Sequence, residues 1–206
     1  MSIMKLYYAP GACSMASRIS LYEIGQDAEF VKTDIRAKRT EDGRDFREIN
    51  PLGYVPALEL DGGEILTENG AILPYIAGLK PGAPGPQSNP LAEARLHQAL
   101  GFLSSELHKA FGPFFGNPQG DARDAAMTRL NLRLDYVERY LGDGREHWLG
   151  DRFSVADAYA FVILKWANHF GISYSARPNI ARYVERIGGR DSVRKALADE
   201  GLLQPA

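Results

Sequence analysis

Cys13 is the only cysteine among the 206 residues, and its neighbours put it where thiol chemistry is feasible. A β-type run, Leu6-Tyr7-Tyr8, meets the breaker Pro10-Gly11, and helical character resumes at Ser14 and lasts until Gly25. The sulfur therefore falls where a strand hands over to a helix. Unpartnered backbone N–H groups and the positive end of the helix dipole favour a thiolate there. Two readings of Cys13 are open on local sequence: a reactive sulfur, or a small apolar residue packed in a core.

Two further stretches belong with it. Val55-Pro56 precedes a run that reads as a β-hairpin. In the cis form that bond would present the valine N–H and C=O at a sheet edge, where an extended peptide pairs as an added strand. Thr67-Glu68-Asn69 opens a helix. Its carboxylate suits a ligand ammonium, and the N–H groups of the helix start suit a ligand carboxylate. Taken singly, Val-Pro reads equally as a trans turn and Glu68-Asn69 as an ordinary cap. Together, in this order, the three stretches suit a short zwitterionic peptide whose sulfur points toward Cys13.

The bulk composition excludes other chemistry. Nine basic and twelve acidic residues fall in the first 80 positions, and fifteen and fourteen in the rest, so neither half has the basic face that nucleic-acid phosphates require. One cysteine rules out an intrachain disulfide and a multi-cysteine metal centre. The histidines at 97, 108, 147 and 169 have no HExxH-like spacing, so no dedicated metal site is expected. No apolar run approaches the ~20 residues of a membrane span, and the N-terminus lacks the marks of a signal peptide. A cytoplasmic protein with no membrane and no nucleic-acid partner is expected.

The elements that must position these residues change character along the chain. Runs 6–9 and 29–34 read as strands around a helix, and the polar stretch 36–43 as a loop or short helix. Runs 54–60 and 64–67 flank Asp61-Gly62-Gly63 as a hairpin, and 68–77 reads as a helix containing Pro74. Residues 1–80 thus form an α/β domain and 81–90, rich in glycine and proline, a linker. From 91 to 206 the pattern is helical. Leu96, Leu100, Leu103, Leu107 and Phe111 follow three- and four-residue steps, as do Leu130, Leu134, Val137 and Leu141. Ser154-Val155-Ala156-Asp157 has the form of a capping box, and further helices begin at Arg177-Pro178 and Asp191-Ser192.

With these residues in view, the chain resembles a cytosolic glutathione S-transferase, most closely of the bacterial beta class. The marks are KLYYAPGACS at 5–14, EINPLGYVPAL at 48–58, Leu66-Thr67-Glu68, SELHK at 105–109 and FSVADAY at 153–159. The resemblance runs the length of the chain. It implies a thioredoxin-like N-terminal domain, an all-α helical C-terminal domain, a homodimer, and glutathione as cosubstrate with no further cofactor. It implies Cys13 and His108 as catalytic residues. Lys38, Val55, Pro56, Glu68 and Asn69 are implied on glutathione, with Lys38 near the glycine carboxylate. Asn69 stands where relatives usually carry serine or glycine, and Gly101 where they often carry asparagine. For the second substrate, a small hydrophobic electrophile, the candidates are Tyr8, Phe111, Phe114, Phe115 and Trp166. Of these, Phe111 and Trp166 also have the spacing of core residues. The implied function is conjugation of glutathione, with thiol-disulfide exchange through Cys13 as a second chemistry. The alternatives are reductive dehalogenation and a non-catalytic binder of apolar ligands.

Overall fold

In the computed structural model, which describes residues 4–79 and 89–203, β1 (Lys5–Tyr8) is the central strand. It pairs in parallel with β2 (Glu29–Asp34), Tyr7 opposite Val31. On its other edge it pairs antiparallel with β4 (Ala57–Glu59), Leu6 opposite Leu58. The expected hairpin turns from β4 into β5 (Ile65–Thr67), and the sheet order is β3-β2-β1-β4-β5. Strand β3 (Arg39–Thr40) corrects the reading of 36–43 as a loop or short helix. Two residues paired to the edge of β2 at Thr33 are too short to leave an alternation in the sequence. A single 3-10 turn, Phe46–Glu48, follows, and Phe46 packs on Tyr7 with ring centres 5.8 Å apart.

Alternation along β1 decides what lies on each face. Leu6 and Tyr8 face α1 (Met15–Glu23) and α2 (Asn69–Gly78), packing with Leu21, Ile24, Ile72 and Ile76. Tyr7 faces the other way, toward Val31 and Phe46.

The helical half begins with α3 (Pro90–Phe102), capped by Asn89, whose side-chain oxygen accepts from the Leu91 N–H at 2.9 Å. Of the expected linker, residues 81–88 lie outside the described residues. The helix runs on as a π-helical segment, Leu103–His108, and then α4 (Lys109–Phe111). Ser104 and Ser105 both donate to the Gly101 carbonyl, at 3.2 and 2.8 Å, drawing it out of the regular ladder where the wide turns begin. Next come a 3-10 turn (Gly112–Gly116), α5 (Gly120–Tyr140), α6 (Val155–His169), α7 (Pro178–Gly188) and α8 (Asp191–Asp199).

Helix α6 is the axis of this half, buried without a break from Val155 to Leu164. Its start is the expected capping box. Buried Asp157 accepts from the Ser154 N–H and hydroxyl at 2.8 Å each, and also from the Trp148 N–H at 2.6 Å and the Tyr183 hydroxyl at 2.8 Å. One apolar core takes Met15, Ala16 and Ile19 of α1 and Leu73 of α2 together with Leu107, Phe111, Ile163 and Trp166. The two halves share that core, which holds side chains from both at fixed separation. Among the described residues no helix is long and apolar enough to cross a membrane, and no group of three or more His, Cys, Asp or Glu side chains could hold a metal.

Candidate active site

The loop that carries Cys13 is held from the opposite half. Gly11 takes φ +73°, a conformation that suits glycine. Its N–H donates to Glu200 Oε2 at 2.8 Å, and its carbonyl accepts from Trp166 Nε1, also at 2.8 Å. Glu200 is paired in turn with Arg18 at 3.3 Å, and the Arg18 guanidinium lies 4.1 Å from the ring centres of both Tyr8 and Phe30. Tyr8 thus packs within the sheet half in the free protein. Glu200 was not legible as a site residue, because nothing in its local sequence points 189 positions back along the chain.

Cys13 is partly buried, and its Sγ donates to the Val55 carbonyl at 3.3 Å. Burial, with the Glu68 carboxylate adding to it, pushes its pKa up to about 12. Backbone N–H groups of Cys13 and Ser14 and the Lys109 ammonium pull the other way and lose to desolvation. Burial thus opposes the thiolate that the helix start was expected to favour and holds the Cys13 thiol above its ordinary range.

The remaining residues of the sheet half gather along the same edge. The Val55-Pro56 bond is cis, and β4 begins only at Ala57, so Val55 lies ahead of the paired strand. Glu68, the residue before α2, is exposed and holds φ +69°, an uncommon conformation for a side-chain-bearing residue and one that concentrates at functional sites. Asn69 is turned inward. It is 3% exposed, accepts from the Ser17 hydroxyl at 3.0 Å and donates to the Cys13 carbonyl at 3.0 Å, so its amide braces the cysteine loop. Lys38, at φ +56°, donates from Nζ to the Gly53 carbonyl at 2.8 Å and lies 5.1 Å from the Tyr54 ring centre, over the segment leading to Val55.

From the helical half, His108 ends the π-helical segment. Its Nδ1 is 2.9 Å from the Tyr159 hydroxyl, and its ring meets Trp166 edge-on at 4.8 Å. Burial first, and the neighbouring Lys109 charge second, pull its pKa down to about 4, so the imidazole is neutral. Phe111 and Phe114 are buried in the helical core, the place that the spacing of Phe111 also allowed. Phe115 is 55% exposed and stands edge-on to Trp166 at 5.2 Å and to Phe170 at 5.0 Å. Tyr159 and Phe170 were missed. The available signal was their spacing from Trp166, Tyr159 seven residues before it on α6 and Phe170 four after it at the helix C-cap.

Comparison with known proteins agrees with this geometry. The family model described as the N-terminal domain of glutathione S-transferase matches residues 2–78, and that of the C-terminal domain matches residues 102–191. The chain belongs to the glutathione S-transferase family. It is 40% identical to glutathione S-transferase GstA of Escherichia coli O157:H7, over 97% of this chain and all of the relative. A beta class glutathione S-transferase of Sphingomonas chungbukensis superposes with TM-score 0.91 at 48% identity, covering 97% of this chain and all of the other. A sphingomonad glutathione S-transferase complexed with glutathione has TM-score 0.91 and 45% identity, with the same coverage. Glutathione S-transferase is the activity of this chain, on a thioredoxin-like sheet domain joined to a helical one.

Proposed function

We propose that this glutathione S-transferase conjugates glutathione to small apolar electrophiles, with the acceptor held against Phe115, Trp166 and Phe170. One observation carries the reading. Trp166 touches three things at once: the Gly11 carbonyl of the cysteine loop, the His108 ring and the Phe115 ring. An aromatic wall thus begins beside the residues that serve the sulfur. Glutathione would lie along Val55, with its γ-glutamyl end at Glu68 and its glycine carboxylate toward Lys38, which would exchange the Gly53 carbonyl for a charged partner. Its sulfur would then stand near Cys13 and His108. Rate enhancement comes from holding the thiolate and acceptor together and from polar groups aimed at the sulfur.

Transfer of glutathione to a chlorodinitrobenzene tests this. Replacing Phe115 by alanine removes most of an exposed ring, and a loss of about 1.4 kcal/mol raises KM for the apolar acceptor about tenfold. KM for glutathione stays unchanged. Equal KM for apolar and hydrophilic acceptors, untouched in Phe115→Ala, would overturn the proposal. Turnover itself separates conjugation from non-catalytic binding, which would give retention on glutathione-agarose alone. Release of halide with oxidation of glutathione, and no adduct, would indicate reductive dehalogenation.

The partial exposure of Cys13 supports a second chemistry. The fraction of Cys13 that gives its proton to solvent, small at neutral pH and growing as pH rises, attacks one sulfur of oxidised glutathione, and a protein–glutathione disulfide forms while the other glutathione leaves as thiolate. Intact mass would then show one adduct, reversed by reductant; labelling only after unfolding would sink the idea.

The protein is also proposed to work in the cytoplasm as a homodimer. Exposed Leu91 on α3 and Leu132 and Tyr136 on α5 supply an apolar face that a second copy would cover. Light scattering across a dilution series checks this, and a monomer at all concentrations would contradict it.

A further inference from the structure

The Asn69 amide begins a chain of hydrogen bonds whose direction can be worked out from valence alone. The Cys13 carbonyl can only accept, so the Asn69 atom 3.0 Å from it must be Nδ2, and this fixes the orientation of the amide. The Ser17 hydroxyl, 3.0 Å from the other amide atom, therefore faces Oδ1 and donates to it. The second N–H of Nδ2 remains on the side of Tyr159, and hydrogen bonding from Asn69 offsets part of the burial that raises the pKa of that phenol. Tyr159 is 2% exposed and stays protonated. A buried phenol leaves its single proton unpaired unless an acceptor meets it, and among the described residues the acceptor within hydrogen-bond distance of that hydroxyl is His108 Nδ1, at 2.9 Å.

We propose that Tyr159, oriented by Asn69, fixes His108 as the Nε2–H tautomer, so that His108 serves the glutathione sulfur as a hydrogen-bond donor and not as the base that removes its proton. A neutral imidazole has one N–H, and a ring whose Nδ1 accepts must carry it on Nε2. The same chain opposes an imidazolium, because a proton on Nδ1 would face the Tyr159 O–H head to head. Tyr159 and Asn69 are then positioning residues, acting on the sulfur only through His108 and the cysteine loop. The thiol proton must leave to solvent or to another base, and His108 stabilises the thiolate that remains. Asn69 supplies a link that serine or glycine there could not, since only its amide offers two donors and an acceptor at one place.

The assignment rests on the reading of His108 as the partner of glutathione's sulfur, but its test does not depend on turnover. Long-range nitrogen-15–proton correlation spectra of the whole enzyme labelled at histidine report the tautomer of each ring, and the spectrum lost in His108→Gln identifies His108. The expected result is one Nε2–H tautomer for His108 at neutral pH. In Tyr159→Phe the same signals should move toward a mixture of tautomers, and loss of one hydrogen bond lowers kcat about tenfold with KM for glutathione little changed. Asn69→Ser should move the tautomer in the same direction. An Nδ1–H tautomer in the wild type would overturn the proposal. So would a single Nε2–H state that persists unchanged in a folded Tyr159→Phe enzyme. If Tyr159→Phe fails to fold, the wild-type spectrum and Asn69→Ser still decide it. An Nε2–H tautomer in a protein whose His108→Gln variant keeps full turnover would leave this assignment standing and remove the catalytic role of His108.

Discussion

The cysteine corner of the site and the histidine corner are both partly withdrawn from water, and the same cause moves them in opposite directions. Burial pushes the Cys13 thiol up to about 12 and the His108 imidazole down to about 4, because each loses more by being charged than by being neutral. A thiol and an imidazole that are both neutral do not make a thiolate–imidazolium pair. Burial thus disfavours the charged form of both groups in the free enzyme. The corners also differ in how they are held. The cysteine loop is clamped by an ion-paired carboxylate and an indole from the far half. The histidine is held by neutral hydrogen bonding to Tyr159 and by aromatic edges.

That contrast is broken most severely at Glu200. Burial pushes its carboxyl up to about 7, against the Gly11 N–H and the Arg18 charge. Removing it in Glu200→Ala leaves Arg18 buried between two rings without its partner, which costs about 3–5 kcal/mol of stability. Urea unfolding reads that loss. A Glu200→Ala protein within 1 kcal/mol, roughly the worth of a surface ion pair, would mean that the clamp carries little.

The histidine corner predicts a pH dependence of definite sign. His108 binds a proton near 6.5 when unfolded and near 4 when folded, so its contribution to stability is complete above the unfolded value and is lost as pH falls toward the folded one. Compared with His108→Gln, the wild type should lose up to about 3 kcal/mol over that window. Taking the difference between the two proteins cancels the opposite trend of Glu200, which both share. Parallel stability curves would show that His108 is not held neutral.

Much of this was legible in the sequence, and the exceptions share a physical origin. Cys13, Val55-Pro56 and Glu68 lie at element boundaries, where breakers and helix starts mark the chain, and the structure brings them to one edge. The capping box at Ser154 and the leucine steps of α3 were readable because caps and periodicity are local. The desolvation of Cys13 was not legible because a helix start is a local feature, whereas desolvation depends on what packs over it. The contacts of Asn69, Tyr8 and Glu200 escaped for the same reason. Their partners lie across the fold, at Ser17 and Cys13, at Arg18, and at Gly11.

The smallest effect belongs to the half-buried rim. The Lys38 ammonium meets the Gly53 carbonyl and the Tyr54 ring in the free protein. Lys38→Ala should raise KM for glutathione about fivefold, the worth of roughly 1 kcal/mol for a solvent-screened charge pair, and leave kcat unchanged. Loss of kcat with KM intact would move Lys38 from the rim into the chemistry.

The charge state of Cys13 can be read directly. Ultraviolet absorbance of the thiolate, recorded against pH as the difference between the free enzyme and Cys13→Ala, reports only this sulfur, since Cys13 is the one cysteine in the chain. The expected result is no thiolate at neutral pH and a signal that appears only in strongly alkaline solution. A full thiolate signal at neutral pH would contradict it, and would restore the helix start as the force that sets the charge of Cys13.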